Sequence, residues 1–130
     1  MTQQYEAIGL SVPNFSGNEK KYVNEAIDAE WVSTAGAFIS RFEEEMAKTL
    51  EVPQACACQS GTAGLHLCLR HFGVGAGDIV LVPTLTFIAP INPVMYQAAT
   101  PVFFDCDSHM CMDAGQVEEY LSRECRVEDG

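Results

Sequence analysis

The sequence predicts an α/β fold with parallel strands joined by crossover helices, and three observations predict it. Short apolar segments of strand length alternate with longer segments whose apolar residues recur at helical spacing. Gly- and Pro-containing turns separate the two kinds of segment. Of the 130 residues 48% are hydrophobic, ample for a globular core that covers both faces of a parallel sheet.

Each element has its own signal. Ser16-Gly17-Asn18-Glu19 has the Ser-x-x-Glu form of a capping box, followed by Tyr22, Val23, Ala26 and Ile27 on one face, which predicts a helix over about 17–29. After the polar bend Ser33-Thr34-Ala35-Gly36, the apolar residues Phe38, Ile39, Phe42, Met46 and Leu50 give a second amphipathic helix over 37–50, stopped before Pro53. Ala55-Cys56-Ala57-Cys58 reads as a short strand. Ser60-Gly61-Thr62 then opens a helix through Leu65, Cys68, Leu69 and Phe72, with Gly73 as its C-cap. Gly75-Ala76-Gly77-Asp78 is a turn, Ile79 to Val82 a buried strand, and Pro83 closes it. A helix over about 87–98 follows, with Pro90 in its first turn and Pro93 expected to bend it. Val102-Phe103-Phe104 is a third strand, and Asp113 caps a last helix ending near Ser122. The acidic tail from Glu124 to Gly130 shows no element, so the chain is expected to stop in a connection.

Composition excludes several function classes. A net charge of −11, with no basic stripe, argues against nucleic acid, whose phosphates are bound by clustered Lys and Arg. Met1 to Leu10 has neither a basic n-region nor an apolar h-region, and no apolar run has bilayer length, so the expected location is cytoplasmic and no membrane partner is expected. Six cysteines without a secretion signal read as reduced thiols. No metal site is expected, because there is no CxxC pair and His66, His71 and His109 show no ligand spacing with the cysteines.

Two stretches could carry chemistry. A strand leading through Ser60-Gly61-Thr62-Ala63 into a helix offers free backbone N–H groups and the positive end of a helix dipole, which suits a phosphate-sized anion. The tetrapeptide is also explained by Ser60 capping the helix while Gly61 relieves a tight turn, and the residues alone leave both explanations open. Pro83-Thr84-Leu85-Thr86-Phe87 carries an aromatic residue to the carboxyl edge of the sheet, where ligands of open α/β folds collect and a flat heterocycle could stack. Ordinary core packing accounts more simply for a single Phe in an apolar context.

Taken together, several stretches make the chain resemble the DegT-type aminotransferases, fold-type-I enzymes that use pyridoxal phosphate to aminate keto sugars carried on nucleotides. They are Leu10-Ser11-Val12-Pro13, Trp31 to Gly36, Phe42-Glu43, Ser60 to Leu67, Gly77-Asp78, Val82 to Pro90 and Thr100 to Phe103, in order along nearly the whole chain. The run Pro83 to Pro90 and Asp105-Cys106-Asp107 look most similar to members making 4-amino sugars for legionaminic acid, bacillosamine or perosamine. The resemblance implies that residues 1–130 are an amino-terminal part of the large, cofactor-binding domain: mostly parallel strands, helices on both faces and an incomplete sheet. It implies cofactor contacts from Gly61, Thr62 and Ala63 to the phosphate and from Phe87 to the pyridine ring. Pyridoxal phosphate is the implied cofactor, glutamate the amino donor and a 4-keto nucleotide sugar the substrate.

A transaminase also needs a Schiff-base lysine and an acidic partner for the pyridine nitrogen. The chain has three lysines, Lys20, Lys21 and Lys48, each read as a solvated charge on an amphipathic helix. In the family those two groups, and a further phosphate-binding serine, come later than this chain extends, and Asp105 and Asp107 match neither role. No catalytic residue is therefore assigned, and the chain is expected to be inactive alone. The alternative is a non-catalytic, self-associating fragment domain. A homodimer is expected, because three strands leave open edges in a sheet that the family builds with about seven, and it is expected to bury the apolar faces of helices 18–29 and 37–50 or to pair strand edges between chains.

Overall fold

A computed structural model describes residues 8–9, 11–33 and 36–126. Thr34 and Ala35 of the expected bend, Leu10 of the first matching stretch and residues 127–130 of the acidic tail lie outside the described residues. The elements run α1 (Glu19–Asp28), α2 (Ala37–Thr49), α3 (Gly61–His71), β1 (Ile79–Pro83), α4 (Ile91–Tyr96), β2 (Thr100–Phe104) and α5 (Ala114–Glu124). They form two compact units, residues 1–57 with α1 and α2, and residues 58–130 with the rest.

In unit 1 the first helix starts two residues later than the capping box predicts. Asn18 is the N-cap and makes no side-chain cap bond. Glu19, read as the reciprocal partner of Ser16, instead accepts the Gly17 N–H at 2.9 Å. A carboxylate placed to satisfy the nearest orphan donor leaves Ser16 outside the helix. Tyr22 of α1 meets Phe38 of α2 with ring centroids 5.6 Å apart, and the Arg41 guanidinium lies 5.3 Å from the Tyr22 ring centre. Gly36, the N-cap of α2, is buried, and a Cβ there would come within 2.6 Å of Trp31 Cδ1, so the Trp31 ring needs glycine at that position.

The expected strand Ala55–Cys58 does not form. The Ala57 N–H, which a ladder would have used, donates to Glu43 Oε1 at 2.8 Å instead. An apolar segment becomes a strand only where a neighbour supplies the other half of each hydrogen bond, and here a side chain from α2 supplies it.

In unit 2 β1 and β2 pair in parallel, Ile79 opposite Thr100 through Pro83 opposite Phe104, as a two-stranded open sheet. Both strands carry a proline, and the register explains how. The Thr100 and Thr84 N–H groups donate across the pair to Asp78 and Phe104 carbonyls at 2.9 and 2.8 Å. Successive residues point their N–H groups in opposite directions, so Pro101 and Pro83 face the two outer edges, where the missing donor costs no bond within the pair.

The core is Val82, Val94 and Ala99, with Leu69, Val74, Val80 and Ile91 packed against it. Phe104 is buried as well, its ring edge-on to Tyr120 of α5 at 5.4 Å. The α3 helix ends as expected at Gly73, whose φ of 75° is the left-handed conformation of a Schellman cap, with Gly73 and Val74 N–H bonded to Arg70 and Leu69 carbonyls at 3.1 and 3.0 Å. The α4 helix is shorter than predicted. It starts at Ile91 with Pro90 as N-cap, which moves Pro93 into the first turn, where its missing N–H breaks no helical bond and its ring is buried instead of bending the helix. The last helix is capped by Asp113 and runs to Glu124, one turn fraction beyond Ser122. Among the described residues no helix is long and apolar enough to cross a membrane.

Candidate functional site

The start of α3 holds three of the four residues singled out from the sequence. Ser60 is extended, with φ −160° and ψ 159°, and its Oγ accepts the Ala63 N–H at 3.2 Å, while its carbonyl accepts the Gly64 N–H at 3.1 Å to begin the helical ladder. Ser60 therefore is a cap, as the local explanation required. Two orphan donors remain, because the Gly61 and Thr62 N–H groups make no hydrogen bond among the described residues. A Cβ built on Gly61 would meet nothing within 4 Å, and Gly61 is exposed while Thr62 is half-buried. The cap and the anion turn are thus compatible: Ala63 is engaged by Ser60, and Gly61 and Thr62 are free to meet an anion at the positive end of an 11-residue helix.

Phe87, the fourth residue, sits on a different segment of the same unit, the connection from β1 to α4, and is 84% exposed. Core packing does not account for it. With the strands parallel, the connection leaves at their carboxyl edge.

Sequence reading passed over the residues that join the two strand ends. Because Pro83 lies opposite Phe104, the next residues, Thr84 and Asp105, are neighbours, and the Thr84 hydroxyl donates to Asp105 Oδ1 at 3.3 Å. Asp105 Oδ1 also accepts the Cys106 N–H at 2.8 Å. Only the register, which no local pattern encodes, brings these two side chains together. Asp107 organises a turn, its Oδ1 accepting the His109 and Cys111 N–H groups at 2.8 and 3.1 Å beside an antiparallel bridge between Cys106 and Met112. Among the described residues no three His, Cys, Asp or Glu side chains are arranged to hold a metal ion.

Lys20 and Lys21 lie exposed on α1, the latter 3.8 Å from Glu25, and Lys48 is exposed near the end of α2. All three belong to unit 1.

The GDP-perosamine synthase of Escherichia coli O157:H7 is 39% identical over 116 residues, 88% of this chain and 32% of that protein. The GDP-perosamine synthase of Caulobacter vibrioides is 43% identical over 116 residues, 88% of this chain and 31% of that protein. A Streptococcus pneumoniae protein described as a sugar aminotransferase and solved in its PLP form superimposes with a TM-score of 0.76 at 30% identity, over 86% of this chain and 29% of that one. The chain thus spans about a third of the length of these relatives. The sequence model of the DegT/DnrJ/EryC1/StrS aminotransferase family matches residues 13–127, and the chain belongs to that family.

Proposed function

We propose that residues 1–130 are part of the large domain of a pyridoxal-phosphate-dependent aminotransferase that moves an amino group from glutamate to a 4-keto nucleotide sugar, and that they provide its cofactor-phosphate turn. The observation that carries this reading is the pair of N–H groups, Gly61 and Thr62, that make no hydrogen bond among the described residues at the start of α3. The residues present fit the cofactor's phosphate: the two N–H groups donate to its oxygens, the helix dipole favours its charge, and Ser60 keeps the turn in shape through Ala63. Exposed Phe87 fits a residue that stacks on the pyridine ring and shields one of its faces from water. When bound, the cofactor supplies the electron sink that lets the amino nitrogen change carbon partners.

The names of the perosamine synthases support a nucleotide-sugar substrate, and a cytoplasmic location suits such a substrate. Nothing in the chain's charge suits nucleic acid.

A second reading, a self-associating domain without catalysis of its own, is favoured by a separate observation. Val23, Ile27 and Phe42 are each 57% exposed on the amphipathic helices of unit 1. We take both readings together for the 130-residue chain: it binds the cofactor without covalent attachment and forms a homodimer through these helices, not through strand edges that each lack a donor at a proline.

The experiment is a titration of the purified chain with pyridoxal phosphate, followed by borohydride reduction and peptide mapping. Saturable binding, competed by inorganic phosphate and weakened at least threefold by Gly61→Pro, which removes one donor, is the expected result. Specific, stoichiometric labelling at Lys20, Lys21 or Lys48 would overturn the non-covalent reading. Binding that ignores Gly61→Pro would remove the phosphate turn.

A further inference from the structure

We propose that Asp105 is a positioning residue for Phe87, acting through the Thr84 hydroxyl at the carboxyl edge of the strand pair; the functional half of this inference rests on Phe87 being the ring-stacking residue. Among the described residues the connection from β1 to α4 is fastened only at its ends. On the strand side the Thr84 N–H donates to the Phe104 carbonyl at 2.8 Å and its hydroxyl to Asp105 Oδ1 at 3.3 Å. On the helix side the Ile91 and Asn92 N–H groups donate to the Ile88 carbonyl at 3.0 and 3.1 Å. Between these points Leu85, Thr86 and Phe87 make no hydrogen bond among the described residues, and Phe87 at 84% exposed has little packing to fix it.

The path of the chain through Phe87 is therefore set at Thr84 on the strand side and at Ile88 on the helix side. A single backbone bond leaves rotation about the strand axis, and the side-chain bond to Asp105 removes it. Asp105 can serve as the fixed point because it is itself held twice. Its Oδ1 accepts the Cys106 N–H at 2.8 Å, and its carbonyl accepts the N–H of Asp113, the N-cap of α5, at 3.0 Å. The carboxylate at the end of β2 thus steers the exit of β1. A charged acceptor makes this bond stronger than a neutral one would be, although its exposure to water keeps the effect modest.

The test uses the full 130-residue chain and three variants. Asp105→Ala removes the acceptor, Thr84→Val removes the donor while keeping the branched shape, and Asp105→Asn keeps an acceptor oxygen. The first readout is chymotrypsin cleavage after Phe87, followed by mass spectrometry and normalised to cleavage after exposed Phe15 in unit 1. Cleavage should rise about three- to tenfold in Asp105→Ala and Thr84→Val, the range expected for one lost hydrogen bond. The double variant should not exceed Asp105→Ala, and Asp105→Asn should stay near the parent chain.

The second readout is the ratio of affinities for pyridoxal phosphate and inorganic phosphate. Asp105→Ala should weaken pyridoxal phosphate by a similar factor and leave inorganic phosphate unchanged, a split that general loss of structure would not give. Unchanged cleavage, additive effects of the two substitutions, or equal loss of both ligands each overturns the proposal. A parent chain that binds the two ligands equally defeats the stacking role of Phe87, and the cleavage pattern then still decides whether Asp105 holds the connection.

Discussion

Unit 1, residues 1–57, and unit 2, residues 58–130, are built from similar apolar residues, yet only one of them buries its own. Neither α1 nor α2 has a buried residue, and their apolar positions Val23, Ile27 and Phe42 stay more than half exposed. Unit 2 holds all the buried apolar side chains among the described residues: Val82, Pro93, Val94, Ala99 and Phe104. The difference is topological. A parallel strand pair requires the chain to cross over between β1 and β2, and the crossover lays α4 against β2 and α3, so that Val94 and Ala99 pack with Val82 of β1 and Leu69 of α3. The two consecutive helices meet at Tyr22 and Phe38 and leave Val23, Ile27 and Phe42 more than half exposed.

If the uncovered stripes of unit 1 are covered by a second copy, the largest expected effect is a change of mass. Sedimentation at micromolar concentration should show two chains together, tightening as salt screens the charge of −11 on each. Ile27→Glu with Phe42→Glu should return the protein to one chain with unit 2 still folded. A well-folded single chain at low and high salt alike would sink the dimer.

A smaller effect compares the interiors directly. Val94, 1% exposed, should cost about 2 kcal/mol as Val94→Ala, from lost burial and the cavity left behind. Ile27→Ala, at a concentration where the chain is single, should cost less than about 0.5 kcal/mol, because most of that side chain is already in water. Urea melts give both values, and equal losses would mean that unit 1 has a core of its own.

The smallest effect concerns helix starts. Ser60 and Asp113 accept backbone N–H groups at the starts of α3 and α5, whereas Asn18 makes no such bond at the start of α1. Ser60→Ala and Asp113→Ala should each cost about 1 kcal/mol, and Asn18→Ala close to nothing. A comparable loss at Asn18 would show that its side chain caps the helix in solution.

Sequence by itself determined the features that depend on neighbouring residues. Periodicity found α2, α3 and the apolar strands Ile79–Val82 and Val102–Phe104 to within a residue or two, because side chains three or four apart share a helix face whatever surrounds them. Gly73 and Asp113 were legible as caps because capping is a bond to residues a few positions away. So was the strand-to-helix turn at Ser60 to Ala63, apart from the strand. Failures of local reading were competitions between equally local partners, as when Glu19 took the Gly17 N–H and helix α1 began beyond Ser16.

Only the tertiary structure decided what depends on residues far apart in the chain. Ala55–Cys58 has the composition of a strand, but Glu43 holds the Ala57 N–H and no strand forms there. Phe87 reads from sequence more simply as core than as ligand contact, yet it stands 84% exposed, because burial is a property of what covers a side chain. Thr84 and Asp105, 21 residues apart, become partners because the parallel register sets Pro83 against Phe104. A period of two or of 3.6 tells a residue which way to face, and only the packed chain supplies what it faces.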